Sequence, residues 1–174
     1  YRGAAGQAPL KENLAAGILA LAGWNDIDNA GEPVYNTFLD PMCGSGTIVI
    51  EAAWMCTHTA PGLNRRFACE RWTKADRALW TKLRADARAA IKPLPEGTLF
   101  ASDAHPGAIS ATHRHLEQVG LADAVALMES NFVEIAAPAG AGLIVTNPPY
   151  GVRLSEQDAL RAEYPEWGRT LKQQ

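Results

Sequence analysis

The chain has 174 residues, with 16 Lys/Arg against 19 Asp/Glu and a formal net charge of −3. That length fits one domain able to bury a real core, and no apolar run is long enough to span a membrane (the best candidate, Leu14 to Ala22, is far too short) or forms a signal peptide. The three cysteines, Cys43, Cys56 and Cys69, are odd in number and show no CxxC spacing, so neither a disulfide framework nor a zinc site is indicated, and a cytoplasmic protein without metal is expected.

Residues Tyr1 to Ala8 read as an arriving linker. Pro9 can start a helix, because its missing N–H is an orphan there anyway. Leu10, Leu14, Ile18 and Leu21 then recur at helical spacing and predict an amphipathic helix with that stripe inward, stopped by Gly23. Asn25 to Asn36 is a polar, turn-rich loop.

Phe38 and Leu39 end a short apolar run that reads as a buried strand, with Asp40 at its C-terminal end. Gly44-Ser45-Gly46 makes a tight turn, and a helix follows from Thr47 to about Thr57. Strand, glycine turn and helix N-terminus together form a nucleotide-type site, since the glycines admit a ligand and the first helical turn offers free N–H groups. A dinucleotide fingerprint wants a third glycine three residues after the second, but Val49 stands there. Asp40, four residues before Gly44, would repel a pyrophosphate. It suits a ligand with an ammonium group, such as the methionine end of S-adenosylmethionine. An ordinary tight strand–helix turn remains the alternative, and Cys43 reads as a small filler of the loop.

His58 to Trp72 is irregular. Thr73 to Asp76 resembles a capping box with Asp in place of Glu, and a helix to about Ile91 carries an apolar stripe of Leu79, Trp80, Leu83, Ala87 and Ile91. Trp72 and Trp80 read as packing residues. This makes an insertion at about 58–95, ended by Pro93 and Pro95. From Arg65 to Lys92 there are nine bases (Arg65, Arg66, Arg71, Lys74, Arg77, Lys82, Arg84, Arg88, Lys92) and three acids (Glu70, Asp76, Asp86), a net of +6 against −9 elsewhere. A basic segment in an acidic protein suits a polyanion or is simply a solvated helix face. Arg65, Arg66, Arg71 and Lys74 are the candidate polyanion-contacting residues.

Thr98 to Ser102 is the next strand and ends in Asp103. An acid at this strand end accepts from ribose hydroxyls. It usually follows the glycine turn by about twenty residues, and the insertion accounts for the excess here. Pro106 to Val119 is a helix with Ile109, Leu116 and Val119 inward. His105, His113 and His115 are expected on its exposed side. Val125 to Met128 is a third strand, followed by Asn131, and Leu143 to Thr146 a fourth. Alternating strands and helices predict an α/β fold, a Rossmann-like doubly wound parallel sheet with ligands at the strand C-termini. Asp40, Asp103, Asn131 and Asn147 all fall at such ends.

The fourth strand runs into Asn147-Pro148-Pro149-Tyr150. An exocyclic base amine is a poor nucleophile, because its lone pair is delocalised into the ring. The Asn147 side-chain oxygen and the Pro148 carbonyl can accept from the amine, drawing the nitrogen toward tetrahedral geometry. Pro148 and Pro149 stiffen the backbone and leave no competing N–H, and Tyr150 offers a stacking face. Catalysis then rests on positioning and preorganised dipoles. A rigid Pro-Pro turn without chemistry is the alternative.

FLDPMCGSGT, ASDAHPGAI and IVTNPPYG, in that order, resemble the class I S-adenosylmethionine-dependent methyltransferases that act on amino groups. The opening YRG…APLKENLAAGIL and the inserted APGLNRRFACERW resemble a narrower group, the THUMP-associated RNA guanine-N2 methyltransferases, closest to the RlmL-type (RlmKL) enzymes of 23S ribosomal RNA. The resemblance implies S-adenosyl-L-methionine as cofactor, held at its methionine part by Asp40, Pro41, Gly44, Ser45, Gly46 and Thr47. It implies Asp103 on the ribose hydroxyls and Asn131 where relatives place an Asp against the adenine amine. Asn147 would touch both cofactor and substrate, with Pro148, Pro149 and Tyr150 completing the catalytic motif. It further implies guanine N2 of ribosomal RNA as acceptor, and a THUMP domain upstream. The family fold continues past the fourth strand, so residues 1–174 are expected to form a partial methyltransferase domain, a fragment lacking the last strands. Transfer to tRNA guanine N2 or to DNA adenine N6, and a non-catalytic RNA-binding module, are the alternative functions.

Overall fold

A computed structural model describes residues 10–149 and 154–173. Four parallel strands, β1 (Thr37–Asp40), β2 (Leu99–Asp103), β3 (Val125–Glu129) and β4 (Gly142–Ile144), form one sheet in the order β3-β2-β1-β4. Phe38 pairs with Leu99 on one side and with Leu143 on the other, so β1 is central. The chain moves outward from β1 through β2 to β3, then returns to the other side of β1. That reversal opens a crevice outside the carboxyl ends of β1 and β4, where α/β sheets bind ligands. The parallel, Rossmann-like sheet is the one expected from the alternation of elements.

Helices α1 (Glu12–Leu21), α2 (Thr47–Cys56), α3 (Arg77–Ala89), α4 (Pro106–Val119) and α5 (Leu154–Gln173) accompany the sheet. Phe38, Ile48, Val49, Ile50, Leu99 and Leu116 are at most 4% exposed and form the centre of the core. Helix α4 has the bounds read from the sequence, because both ends are punctuated locally. Pro106 opens it and Gly120, at φ 72°, caps it. Among the described residues no helix is long and apolar enough to cross a membrane.

The face of α1 differs from expectation. Ala15 and Leu19 are fully buried, whereas Leu14 is 52% and Leu21 92% exposed. Leu10 and Ile18 pack on the core as expected, but the rest of the inward stripe is Ala15, Leu19 and Ala22, and it packs where α2 runs closest. Small residues at 15 and 22 let the two helices approach. Trp24 seals the junction. Its indole N–H donates to the Ala52 carbonyl at 3.0 Å, and its ring lies 5.1 Å from that of Phe38.

The insertion also differs. Helix α3 begins after Asp76, whose carboxylate accepts from the Leu79 N–H at 2.9 Å. Asp76 is thus the N-cap, and no capping box starts at Thr73. No residue of α3 is buried, so the apolar stripe read there is not a core stripe. Leu79, Leu83 and Ile91 are exposed. Trp80 and Arg84 turn inward instead. Trp80 stacks on Phe67 at 5.7 Å. Arg84 donates to the carbonyls of Leu63 and Arg65 and to Glu70. The other indole, Trp72, is 71% exposed and does not pack.

Strand β4 is shorter than read, although the Val145 N–H continues the ladder to the Leu39 carbonyl at 3.1 Å. Among the described residues β4 pairs only with β1.

These assignments separate two leucines of α1. Leu19→Ala should cost about 2–5 kcal/mol in denaturant unfolding, whereas Leu21→Ala should stay within about 0.5 kcal/mol of the parent. Equal losses would mean that α1 presents a different face.

Candidate active site

The glycine loop between β1 and α2 is held from three directions. At its start the Cys43 N–H donates to the Ser102 carbonyl at 2.9 Å, and Ser102 Oγ donates to the Pro41 carbonyl at 3.3 Å. From the end of β2, Asp103 Oδ2 accepts from the Gly44 N–H at 2.9 Å, while its Oδ1 accepts from the His105 N–H at 2.9 Å. From α4, Thr112 Oγ1 donates to the Gly44 carbonyl at 2.9 Å, and His115 Nδ1 lies 2.8 Å from the Ser45 carbonyl.

His115 is therefore no surface residue. It is 3% exposed, in contrast with His105 and His113, which lie on the surface as expected. Thr112 and His115 are the polar members of the buried face of α4, a face that the apolar residues Ile109, Leu116 and Val119 alone do not reveal. A polar residue in such a stripe needs a buried partner, and here the partner is the loop.

Both loop glycines need their left-handed backbone. Gly46 has φ 80°, and a Cβ there would lie 2.8 Å from Thr112 Cγ2. Gly44 has φ 56°, and a Cβ would meet nothing within 4 Å. The first glycine thus borders open space and the second borders protein. No side chain caps α2, and a helix N-terminus is a general place for an external acceptor.

Asp40 lies beneath this loop, 1% exposed. Its Oδ1 accepts from Thr146 Oγ1 at 2.8 Å and from the Met42 N–H at 3.4 Å. Its Oδ2 is buried and has no hydrogen-bond partner among the described residues. Burial pushes its pKa up to about 7, and the Asp103 carboxylate adds to the rise, against the lowering by its two donors. Thr146, like Thr112, has a role that the sequence alone does not reveal. It bridges the crevice from β4 to β1 and immediately precedes Asn147.

Asn147 and Pro148 are half-buried and Pro149 exposed at this strand end. The Pro149 carbonyl accepts from the Tyr164 hydroxyl at 3.0 Å. Tyr164 and Trp167 of α5 stack edgewise at 5.0 Å, and Trp167 meets Phe132 at 6.0 Å. Tyr150 lies outside the described residues. Asn131 is exposed and caps the short turn Phe132–Glu134, accepting from the Val133 N–H at 3.4 Å. Arg65 stacks over the Phe67 ring at 4.9 Å, while Arg66, Arg71 and Lys74 are exposed on the insertion. A cavity of about 590 Å³ lies at the opposite ends of α2 and α4, lined by Trp54, Leu94 and Val119, away from these motifs. Among the described residues no His, Cys, Asp and Glu cluster could hold a metal.

The buried Asp40 carboxyl makes stability depend on pH. Its folded-state value is raised from 3.8 to about 7, so the folded protein keeps a proton that the unfolded chain releases. The resulting stabilisation is present below about pH 4 and is lost as pH rises through 7. Asp40→Asn should flatten the dependence of melting temperature on pH between these values, and should gain on the order of 1–4 kcal/mol over the ligand-free parent at pH 8. An unchanged pH profile would show that Asp40 is not the group responsible.

The family model described as UPF0020, RMKL-like, methyltransferase domain, matches residues 1–174. The chain is 41% identical over 177 residues to a ribosomal RNA large subunit methyltransferase K/L of Shewanella amazonensis, covering 99% of this chain and 24% of that protein. It is 42% identical over 181 residues to the protein of that name from Allochromatium vinosum, with 99% and 24% covered. The chain thus spans about a quarter of the length of these relatives. Among solved structures, SMU.472, described as a methyltransferase complexed with SAH, superposes with a TM-score of 0.84 at 34% identity, covering 96% of this chain and 42% of that one. A protein of Listeria monocytogenes described as a predicted N6-adenine-specific DNA methylase gives 0.82 at 32% identity, covering 97% and 42%. A parallel sheet with its glycine loop and Asn-Pro-Pro motif at one switch point, together with a match over the whole length, means that this chain belongs to the RMKL-like methyltransferase domain family.

Proposed function

We propose that this domain transfers a methyl group from S-adenosyl-L-methionine to an exocyclic amine of a ribosomal RNA base, with guanine N2 as the acceptor. The observation that carries the reading is the Thr146–Asp40 hydrogen bond. It holds the strand that leads into Asn147 against the strand that leads into the glycine loop.

The residues present fit the cofactor. Gly44 borders open space, Asp103 is partly exposed at the end of β2, and the Asp40 Oδ2 is a buried acceptor without a donor. Asp40 supplies negative charge for the ammonium of the methionine part, and a cation there would lower its raised pKa. Pro41, Ser45, Gly46 and Thr47 shape the loop and the helix start around the carboxylate. Asp103 keeps lone pairs for ribose hydroxyls while tying down Gly44, and Asn131 accepts at the adenine end. When bound, the cofactor supplies an electrophilic methyl carbon on its sulfonium. The SAH complex of SMU.472 supports this ligand class.

Asn147 Oδ1 and the Pro148 carbonyl then accept the hydrogens of the target amine and free its lone pair. Pro148 and Pro149 fix the backbone, Tyr164 holds the Pro149 carbonyl, and Tyr150 stacks on the base. A half-buried amide oxygen preorganised toward the reacting nitrogen costs little reorganisation during reaction. The target base must be unpaired or flipped out to reach Asn147. The names of the ribosomal RNA methyltransferase relatives support the substrate, and such a substrate implies the cytoplasm. The Listeria structure favours one second reading, transfer to adenine N6 of DNA with the same residues.

The test offers the intact gene product methyl-tritiated S-adenosyl-L-methionine with unmodified ribosomal RNA, tRNA or DNA. The reading predicts N2-methylguanine in ribosomal RNA and a loss of at least 100-fold in Asn147→Ala, of the order seen when one preorganised dipole is removed. Label confined to DNA adenine or to tRNA would overturn the substrate. Cofactor binding without label in any of them would leave a non-catalytic RNA-binding module.

A further inference from the structure

The insertion encloses a cleft of about 580 Å³ whose lining includes Arg66, Arg71, Arg77 and Arg84, with Glu70 as its acid and Phe67 and Trp80 in its wall. Two of its features separate it from a merely solvated charged face.

The first is its rigidity. Arg84 is locked by the Leu63 and Arg65 carbonyls, each at 2.7 Å, and by Glu70 Oε1 at 2.6 Å. Glu70 Oε1 also accepts from the Phe67 N–H at 2.8 Å. That N–H and the Arg84 guanidinium, with Arg66 adding at longer range, hold the Glu70 carboxyl below its usual range, so Glu70 stays ionised, and its salt bridge is made to Arg84. The Phe67–Trp80 stack fixes the wall behind them.

The second is the imbalance that remains. Arg66, Arg71 and Arg77 form no salt bridge among the described residues. Glu70 is the one acid among four arginines of the lining; it bonds Arg84 and acts on Arg66 only at longer range, so the cleft keeps a net positive charge of three. Arg77 and Arg84 are seven residues apart on α3, about two turns and about 10 Å along one face. A guanidinium fork matches a phosphate in charge and in bidentate geometry.

We infer that the Arg66–Arg71–Arg77 cleft binds the phosphodiester backbone of an RNA strand, gripping the substrate away from the glycine loop. The polymer rests on the ribosomal RNA reading above; the anion site rests on the cleft alone. Of the sequence candidates, Arg66 and Arg71 belong to it. Arg65 is turned onto Phe67, and Lys74 is not part of the lining.

The experiment measures fluorescence anisotropy of a labelled 15-nucleotide oligouridine with the intact protein across a salt series. Three proteins are compared: the parent, Arg66→Gln/Arg71→Gln/Arg77→Gln, and Lys82→Gln/Arg88→Gln/Arg114→Gln, which removes equal charge outside the cleft. S-adenosylhomocysteine affinity is measured on each as a check on folding. The cleft variant should lose at least tenfold in RNA affinity at low salt. The slope of log affinity against log salt should shrink by about 2, as expected for three lost contacts to a single strand. Its S-adenosylhomocysteine affinity should be unchanged. An unaltered affinity and slope would overturn the inference, and so would an equal loss in the control variant, which would make the attraction diffuse. If the parent methylates no RNA but its oligouridine binding still depends on these three arginines, the cleft stands and the catalytic reading falls.

Discussion

A single hydroxyl joins the two halves of this site. Thr146 donates to Asp40 across the reversal point of the sheet. The backbone register of β4 on β1 and the Val145–Leu39 bond carry the strand up to this point, and the Thr146 hydroxyl is the side-chain link that ties the start of the Asn-Pro-Pro segment to the acid below the glycine loop. Asp40 is costly to bury, as its raised pKa shows. Its cost is offset by what it fixes: the Met42 amide at the start of the loop, the Thr146 hydroxyl at the start of the Asn-Pro-Pro segment, and an unpartnered oxygen between them. Buried polar groups left incomplete are rare and each calls for an explanation, and a strongly raised pKa in a crevice marks a candidate functional group.

Around that link the loop is built as a clamp rather than as a flexible strap. Asp103 holds an amide, and Thr112 and His115 hold carbonyls, so the loop's polar groups are assigned from outside it. This arrangement explains the two glycines separately. Gly46 has no room for a side chain against Thr112, whereas Gly44 has room and leaves it to whatever the crevice receives. The insertion follows the same logic with different means. It buries almost nothing in α3, and its shape comes from one guanidinium, one carboxylate and two stacked rings.

What the sequence revealed was local, and what it hid was long-range. Helix α4 was legible to the residue because Pro106 and Gly120 mark its ends. Strands β1 and β2 were legible because short apolar runs end in acids. The stripe of α1 was misplaced because Leu14 and Leu21 are larger than Ala15 and Ala22, yet it is the small residues that let α2 approach. Asp76 was read as the third residue of a capping box because the pattern beginning at Thr73 fits it, but the cap itself is the residue that reaches Leu79. His115 was read as surface from its neighbours His105 and His113. Thr146 could not be found at all without the fold, since its partner is 106 positions away.

The central claim is that the glycine loop and the Asn-Pro-Pro segment face one ligand. A crystal structure of the intact protein with S-adenosylhomocysteine tests it most directly. The account predicts the homocysteine part over Gly44 to Gly46, its ammonium toward Asp40, its ribose on Asp103 and its sulfur beside Asn147. Ligand found instead in the cavity between Trp54, Leu94 and Val119, or bound at the loop with its sulfur turned away from Asn147, would contradict it.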